Sequence, residues 1–515
     1  MSDDPTRSSE ATGQPLPGED LPVDVPVDVP VLHAEIRALL KAVREEGRGL
    51  VRQWEDSLHQ PDFRPGAENL ACYLALRHRD LRPLQRPLML LGLSSLGRLE
   101  SRVLPVLESV ERALAALAGR PPEEPLVSPA AFFEGERRLA ERTRAVLGPA
   151  SPQRPVHLLV TCPSEAADDP AFMRKLAERG VEAVRINCAH DGREAWQRMI
   201  AHVRTAEAAT GRRMKVIMDL GGPKIRTGEV RVAGAHRVAE GDRLVVTAPG
   251  GIGAVAPEGV RAAVECTLGG VLGMVRPGER LFIDDGKLGA SIERVEPWGV
   301  VARVTAAAGG GVKLKPEKGI NFPDTDLHCA ALTDQDRQDL DFVAQHADGI
   351  GYSFVQSAQD VTLLQEELER RRPDDWRSLS LILKIETTRA VRALPAILTR
   401  AAGQQPTAIM IARGDLAVEI GFARMAEMQE EILWLGEAAH VPVIWATQVL
   451  ERLIKKGAPS RGEMTDAAMA ARAECVMLNK GPYLHRAIAE LDSLLGRMDE
   501  HQHKKTPRLR RLRSW

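Results

Sequence analysis

The chain has 515 residues, 44% of them hydrophobic and 27% charged, with a formal net charge of −2. That length suits about two to four domains of soluble, globular composition, and the near balance of charge excludes a general nucleic-acid binder. The six cysteines are scattered without a C-x-x-C pair or metal-ligand spacing, no apolar run approaches a membrane span, and Met1–Asp20 is acidic and polar rather than a signal peptide; reduced thiols, a cytoplasmic location and no membrane partner are the expectation.

Residues 1–30 are rich in Pro, Asp, Glu and Ser, and the repeat PVDVPVDVP cannot hold a helix, so a disordered lead is expected there. From Val31 to about Gly148 the apolar period turns helical: Leu32, Ile36, Leu39, Leu40 and Val43 share one face, and Val103, Val106, Leu107, Val110 and Leu114 share another. Asn69–Leu81 and Leu84–Leu99 read as further helices. Residues 31–150 therefore read as a helical extension with no ligand spacing and no phosphate loop; an unidentified protein partner is its expected use. Arg77, His78, Arg79 and Asp80 read as a solvated helix face.

From Val156 onward strands and helices alternate. The strand candidates are His157–Cys162, Ala183–Asn187, Lys215–Leu220, Gly349–Phe354, Ser380–Glu386, Ala408–Arg413, Pro442–Thr447 and Cys475–Asn479. Helical patterns follow most of them, including Pro170–Arg179, Arg193–Thr210, Asp334–His346, Val361–Arg371 and Met425–Ala439. This alternation predicts an α/β fold, a (β/α)₈ TIM barrel built from residues 151–228 and 315–498. Between its third and fourth strands, residues 229–314 switch to a period of two punctuated by glycines, which predicts an inserted small β-barrel placed as a lid on the rim. Residues 499–515 form a basic tail, expected to be solvated and mobile.

The chemistry gathers at strand ends. Ser380–Glu386 is an apolar run ending in charge, and alternation puts Ile382, Lys384 and Glu386 on one face. The next run, Ala408–Ala412, ends in Arg413, Gly414 and Asp415. Two carboxylates and an ammonium at one rim suit a divalent metal gripping a phosphoryl group, with the lysine neutralising charge in flight. A structural ion-pair network would use the same residue types; the Arg-Gly-Asp on the neighbouring strand end favours chemistry, because charge at barrel strand C-termini is where such sites lie. Arg185 and Asn187 end the second strand, MDLGGPKIRTG brings Lys224 and Arg226 after a glycine turn, and WATQ ends the seventh strand at Thr447. These read as an anion site with a metal.

Taken together, RINCAH, MDLGGPKIRTG, LFIDDGKLG, KGINFPDTDLHCAALTDQDRQDL, YSFV, LILKIE, IMIARGDLAVEI, VIWATQVLERLIKKGAPSRGEMTDAAMA and CVMLN resemble, in order, the motifs of pyruvate kinases over about Val156–Leu495. The resemblance implies phosphoryl transfer from phosphoenolpyruvate to ADP, giving pyruvate and ATP, with Mg²⁺ (or Mn²⁺ in its place) as cofactor and a homo-oligomer as the assembly. It implies that Lys384 stabilises the transferring phosphoryl, that Glu386 and Asp415 bind the substrate-side metal, and that Arg185 contacts phosphoryl oxygens. Arg226, Asn187 and His190 fall on the nucleotide side. Arg413, Gly414 and the adjacent backbone hold the substrate carboxylate beside Asp415, and Thr447 lies by the carboxylate and methylene. Asp284 and Asp285 belong to the lid's inner edge.

Three departures stand out. Potassium-dependent members carry a glutamate where this chain has Lys224 and a serine where it has Ala189, which offers no oxygen. Asn187 and Asp219 remain, so the Lys224 ammonium is expected to reach towards Asp219 and stand in for K⁺, making K⁺ unnecessary. After the eighth strand the family's S-G-E-T is replaced by Asn479-Lys480-Gly481-Pro482, which removes a proposed proton relay. The usual C-terminal effector domain is expected to be missing, and with it activation by sugar phosphates. The two readings carried forward are a K⁺-independent phosphotransferase and a catalytically weak barrel that senses phosphoenolpyruvate or nucleotide and signals through its N-terminal helices.

Overall fold

The computed structural model describes residues 27–234, 237–253, 259–327 and 329–511. The extension is made of α1 (Val29–Trp54), α2 (Arg64–Arg77), α3 (Arg82–Leu90), α4 (Val103–Leu117), the single turn α5 (Pro129–Phe132) and α6 (Glu134–Leu147). Asp28 caps α1 by accepting the Val31 N–H at 3.0 Å, and Pro30 sits in the first turn, where the missing N–H has no helical partner to lose. The helix therefore starts inside the expected lead; residues 1–26 of that lead lie outside the described residues. The single helix expected over Leu84–Leu99 is corrected: α3 stops at Leu90, Gly92 turns the chain at φ 70°, and Leu96 and Leu99 are buried by an irregular segment instead.

The barrel then begins with β1 (His157–Thr161), α7 (Pro170–Glu178), β2 (Ala183–Asn187), α8 (Arg193–Thr210) and β3 (Lys215–Asp219). The inserted strands are β4 (Thr227–Val232), β5 (Arg243–Thr247), β6 (Ala262–Cys266), β7 (Arg280–Ile283), β8 (Leu288–Glu296), β9 (Gly299–Ala307) and β10 (Ile320–Asn321). The barrel resumes with α9 (Asp334–His346), β11 (Gly349–Tyr352), α10 (Ala358–Arg371), β12 (Ser380–Ile385), α11 (Thr388–Ala402), β13 (Thr407–Ala412), α12 (Arg413–Ile420) and α13 (Phe422–Ala438). It ends with β14 (Val443–Ala446), α14 (Glu451–Lys456), α15 (Arg461–Met469), β15 (Cys475–Leu478) and α16 (Leu484–Asp499). β1, β2, β3, β11, β12, β13, β14 and β15 close into one parallel barrel in that order, each expected strand falling within two residues of its observed bounds.

The period of two explains the barrel interior. Leu159, Ala183, Ile217, Ile382, Ala408, Ile444 and Cys475 point inward and form one packed cluster. Val146 and Leu147 from the end of α6 belong to the same cluster, so the extension supplies the barrel's floor. Elsewhere the extension is fastened by backbone: the His59 and Gln60 N–H groups both donate to Gly403 O, at 2.9 and 2.8 Å, and Asn69 Nδ2 donates to Ala438 O at 2.8 Å.

The inserted strands form a seven-stranded sheet ordered β10-β7-β8-β9-β5-β6-β4. Its two edges meet through an Arg226–Gly319 bridge, and the Thr227 N–H donates to Lys318 O at 2.7 Å, so the sheet curls into a small barrel. Its separate core takes in Ile225, Ile320 and Phe322, which widens the lid beyond 229–314 at both ends.

The basic tail is not a free segment at its start. Lys504 pairs with Glu474 and donates to Arg472 O at 2.9 Å, while Lys505 pairs with Glu100 and lies 4.2 Å from the centre of the Trp434 ring. Two short strands, β16 (Gln502–His503) and β17 (Thr506–Pro507), close the hairpin that presents both lysines. The buried Glu100 and half-buried Glu474 carboxylates need counter-charges, and the tail supplies them. Residues 512–515 lie outside the described residues.

Candidate active site

The site is the next layer of the same interior. Two residues beyond Ala183, Ile217 and Ile382, the alternation places Arg185, Asp219 and Lys384 at the strand C-termini. Lys384 is buried, and its ammonium lies 3.2 Å from Glu386 Oε1, 3.5 Å from Asp219 Oδ2 and 2.6 Å from Ser353 Oγ, to which it donates. Ser353 in turn donates to Leu220 O at 2.7 Å. Burial works against the lysine's charge, but Glu386 and Asp219 outweigh it and hold its pKa above the ordinary value.

Asp219 is fully enclosed. Its Oδ2 accepts Arg185 Nε at 2.6 Å, while its Oδ1 has no hydrogen-bond partner. Burial opposes its charge; Arg185 and Lys384 prevail and keep its pKa below the usual carboxylate value. Room for this carboxylate comes from β11, where a Cβ on Gly351 would stand 1.9 Å from Asp219 Oδ1. Arg185 is steadied from its other side by Thr161 Oγ1, at 3.3 Å.

Glu386 Oε2 accepts the N–H of Phe354, a non-glycine residue at φ 55°, at 2.6 Å. Burial foremost, then the nearby Asp415 charge, pushes the Glu386 pKa up, against the pull of Lys384. Asp415 does not end a strand as expected but sits in the first turn of α12, where a negative charge suits the helix dipole. Its carboxylate accepts Lys224 Nζ at 2.7 and 3.0 Å. This corrects the expected Lys224–Asp219 contact: the Gly221–Gly222 turn and Pro223 carry Lys224 across to α12, while Asp219 faces inward under Arg185 and Lys384.

The remaining expected residues divide. Asn187 and His190 line a cavity of about 290 Å³ together with Thr161, Arg185, Lys455 and Lys480. Asn187 Oδ1 accepts the Ala189 N–H at 3.2 Å, so its side chain shapes its own loop. Arg226 stands at the lid hinge and donates to Glu317 O at 3.2 Å, outside that cavity. Arg413 is committed to structure: it grips Asp466, donates to Ala446 O and Thr447 O at 2.9 and 2.7 Å, and lies 4.6 Å from the Trp445 ring centre. It thereby pins Thr447, which is held at φ 71° and presses so close that a Cβ on Gly414 would meet Thr447 Cγ2 at 2.7 Å.

A larger cavity of about 690 Å³ opens between the lid base and the barrel rim, lined by Lys224, Asn321, Phe354, Thr388, Asp415 and Glu419 among others. Glu419 Oε1 accepts Asn321 Nδ2 at 3.3 Å, joining α12 to the lid's last strand; burial, with Asp415 and Asp324 adding, pushes its pKa up to about 7. Lys287 and Lys318 hold Asp284 on the lid at 2.9 and 3.3 Å, and its pKa is lowered by those ammonium groups against the cost of burial.

Among the described residues no cluster of three or more His, Cys, Asp or Glu forms a metal cage. Glu386 and Asp415 together offer what an open Mg²⁺ site asks of a protein, one or two carboxylates, with substrate oxygens and water for the other positions. Sequence reasoning missed Ser353 and Phe354, which orient Lys384 and Glu386, and Asp466, which anchors Arg413. The first two lie in the YSFV motif, one and two residues past the end of β11; Asp466 left no local signal.

A closed eightfold βα barrel with cations and carboxylates interleaved at its strand C-termini, beneath an inserted β lid, defines a TIM-barrel protein with an active-site architecture. Residues 145–484 match the family model described as pyruvate kinase, barrel domain, and the chain belongs to the pyruvate kinase family. It is 32% identical to the pyruvate kinase of Mycobacterium tuberculosis over 346 residues, 66% of this chain and 69% of that protein. It is 30% identical to the pyruvate kinase of Thermococcus litoralis over 376 residues, 72% of each. The match to the Geobacillus stearothermophilus pyruvate kinase, at 33% identity, covers 58% of this chain and about half, 48%, of that relative. Among the described residues no helix is long and apolar enough to cross a membrane.

Proposed function

We propose that this protein transfers a phosphoryl group from phosphoenolpyruvate to ADP, yielding pyruvate and ATP. The observation that carries the reading is the buried Lys384 ammonium, kept charged between Asp219 and Glu386 and aimed by Ser353. A fixed, desolvated ammonium stabilises charge on a phosphoryl in flight far better than a solvated one. Arg185, braced by Asp219 and Thr161, is pre-aligned to take phosphoryl oxygens. Mg²⁺, or Mn²⁺ in its place, would be held by Glu386 and Asp415 and would supply charge neutralisation and alignment of the phosphoryl oxygens. The Thr447 turn, fixed by Arg413, faces α12 across Gly414 and fits the substrate carboxylate and methylene. Lys224 keeps one positive charge at the rim without a monovalent ion, which supports K⁺-independent activity.

A coupled assay of the purified chain with phosphoenolpyruvate, ADP and Mg²⁺ tests this: pyruvate should appear at a rate that saturates in both substrates. One observation favours a second reading, a barrel that senses phosphoenolpyruvate or nucleotide: Asn479-Lys480-Gly481-Pro482 stands where a proton relay is expected. Calorimetric binding of phosphoenolpyruvate with no pyruvate formed would establish the sensor and reject the enzyme.

A further inference from the structure

At the opposite end of the barrel from the rim just described lies a second cavity, of about 450 Å³, within the range that holds small molecules. It is enclosed by three parts of the chain: α6 of the extension, the N-terminal ends of β1 and β15 with the end of α13, and the tail hairpin. Its body is apolar, formed by Leu139, Ala140, Val156, Ala473 and Leu495. The N-terminal face of such a barrel carries stability rather than chemistry, so a cavity of this size there is left unexplained by catalysis.

On its wall the Glu437 carboxylate, His157 Nδ1 and Arg472 Nε lack partners among the described residues. The half-buried Glu437 carboxylate makes no hydrogen bond and no ion pair among the described residues, although it stands in the field of Lys504, Glu100, Glu474 and Lys505; Lys504 and Lys505 are taken by Glu474 and Glu100. Burial foremost pushes its pKa up to about 7, the mark of a carboxylate short of a counter-charge. His157 is buried, and its Nε2 is 3.0 Å from Gly148 O; a carbonyl only accepts, so Nε2 carries the proton and Nδ1 is left as an acceptor, without a partner. Buried polar atoms are almost always satisfied, and the His157 and Glu437 acceptors ask for a donor that Arg472, whose Nη1 is taken by Glu430, gives to neither.

We propose that this cavity binds a small apolar molecule carrying a protonated amine, its ammonium on Glu437 and His157 and its body against α6 and α16. Such a ligand meets the extension, the barrel and the tail at once, and binding would stabilise their junction by mass action. The site is separate from the catalytic rim, and the inference does not depend on the proposed reaction.

The test uses the full chain with n-hexylamine as probe and 1-hexanol and hexanoate as matched controls, at pH 8, where the amine is protonated. Hexylamine should raise the melting midpoint in a concentration-dependent way, hexanol at about tenfold higher concentration, and hexanoate not at all. Glu437→Gln, measured against its own ligand-free midpoint, should bring the amine down to the alcohol's level. Ala140→Trp, at an exposed position on α6, should fill the cavity and abolish both shifts. No shift with hexylamine, an equal shift with hexanoate, or an amine shift that survives both substitutions would overturn the proposal. Calorimetric titration of hexylamine supplies the same comparison should either variant melt too early to read.

Discussion

The two rims of the barrel use their carboxylates differently. At the N-terminal rim, an acid immediately precedes each of β2, β11 and β15 and accepts the backbone N–H of a neighbouring strand: Glu182 takes Leu158 and Ser151 at 2.8 Å each, Asp348 takes Val216 at 2.9 Å, and Glu474 takes Val443 at 2.8 Å. At the C-terminal rim, Asp219, Glu386 and Asp415 face ammonium and guanidinium groups, and one oxygen of Asp219 has no partner. The backbone bonds tie the lower acids to the strands, with Arg154, Arg204 and Lys504 as their ion-pair partners, whereas the cations of the upper rim can be shared with a substrate or displaced by a metal. The lower rim is thus built to hold, the upper to exchange partners, and Glu437 at the lower rim has neither a backbone donor nor an ion pair among the described residues.

The largest expected effect lies on the holding side. Glu182→Gln leaves the fully buried Arg154, which donates to both Glu182 oxygens at 2.9 and 3.0 Å, without its main counter-charge. Breaking a buried pair from one side costs about 3–5 kcal/mol. Urea denaturation should show that loss while turnover per folded molecule stays unchanged; a turnover defect without a stability loss would erase the contrast between the rims.

On the exchanging side, Lys384→Met should lower kcat by about a hundred- to a thousand-fold, the cost of removing one preorganised electrostatic group. Steady-state kinetics checks it, and near-normal turnover would remove Lys384 from its assigned role.

Next comes pH, through the seam between extension and barrel. His440 donates from Nε2 to Ser101 O at 3.0 Å, and burial pushes its pKa down to about 4. The unfolded chain takes up a proton near pH 6.5 while the folded chain refuses it until about pH 4. Stability from this group is therefore complete above about 6.5 and declines as pH falls towards 4, by up to about 3 kcal/mol. His440→Gln should flatten that part of the stability–pH curve; an unchanged slope would refute the assignment.

How much of this was legible beforehand follows the range of the interaction. The strands declared themselves because burial on both faces writes continuous apolar runs, and alternation alone put Lys384 and Glu386 on the inner face. Lys224 was visible as a cation, but its partner was not. A glycine turn decides whether it reaches Asp219 or Asp415, and that choice depends on where α12 lies. Ser353 and Phe354 were hidden for the same reason, since their role exists only when β11 and β12 stand side by side. The acids before β2, β11 and β15 follow a rule that the strand list could have exposed.

The smallest effect concerns monovalent ions. With the Lys224 ammonium already at the rim, K⁺ beside it would be repelled at close range, so steady-state rates should match in Na⁺, tetramethylammonium and K⁺ buffers of equal ionic strength. Lys224→Glu should lower activity and introduce a partial K⁺ response, incomplete because Ala189 still lacks an oxygen. Silence without K⁺ in the unaltered protein would end the tethered-cation argument.

Val146 and Leu147 forming the barrel floor has a consequence for the order of assembly. The extension leaves the ribosome before the barrel, yet its partners are made late: Gln60 meets Gln404 across 344 residues of chain, and Glu100 meets Lys505 across 405. Closing loops of that span is slow, and domains otherwise tend to fold as they emerge. Val146 and Leu147 at the end of α6 therefore stay uncovered until the last strand has been synthesised.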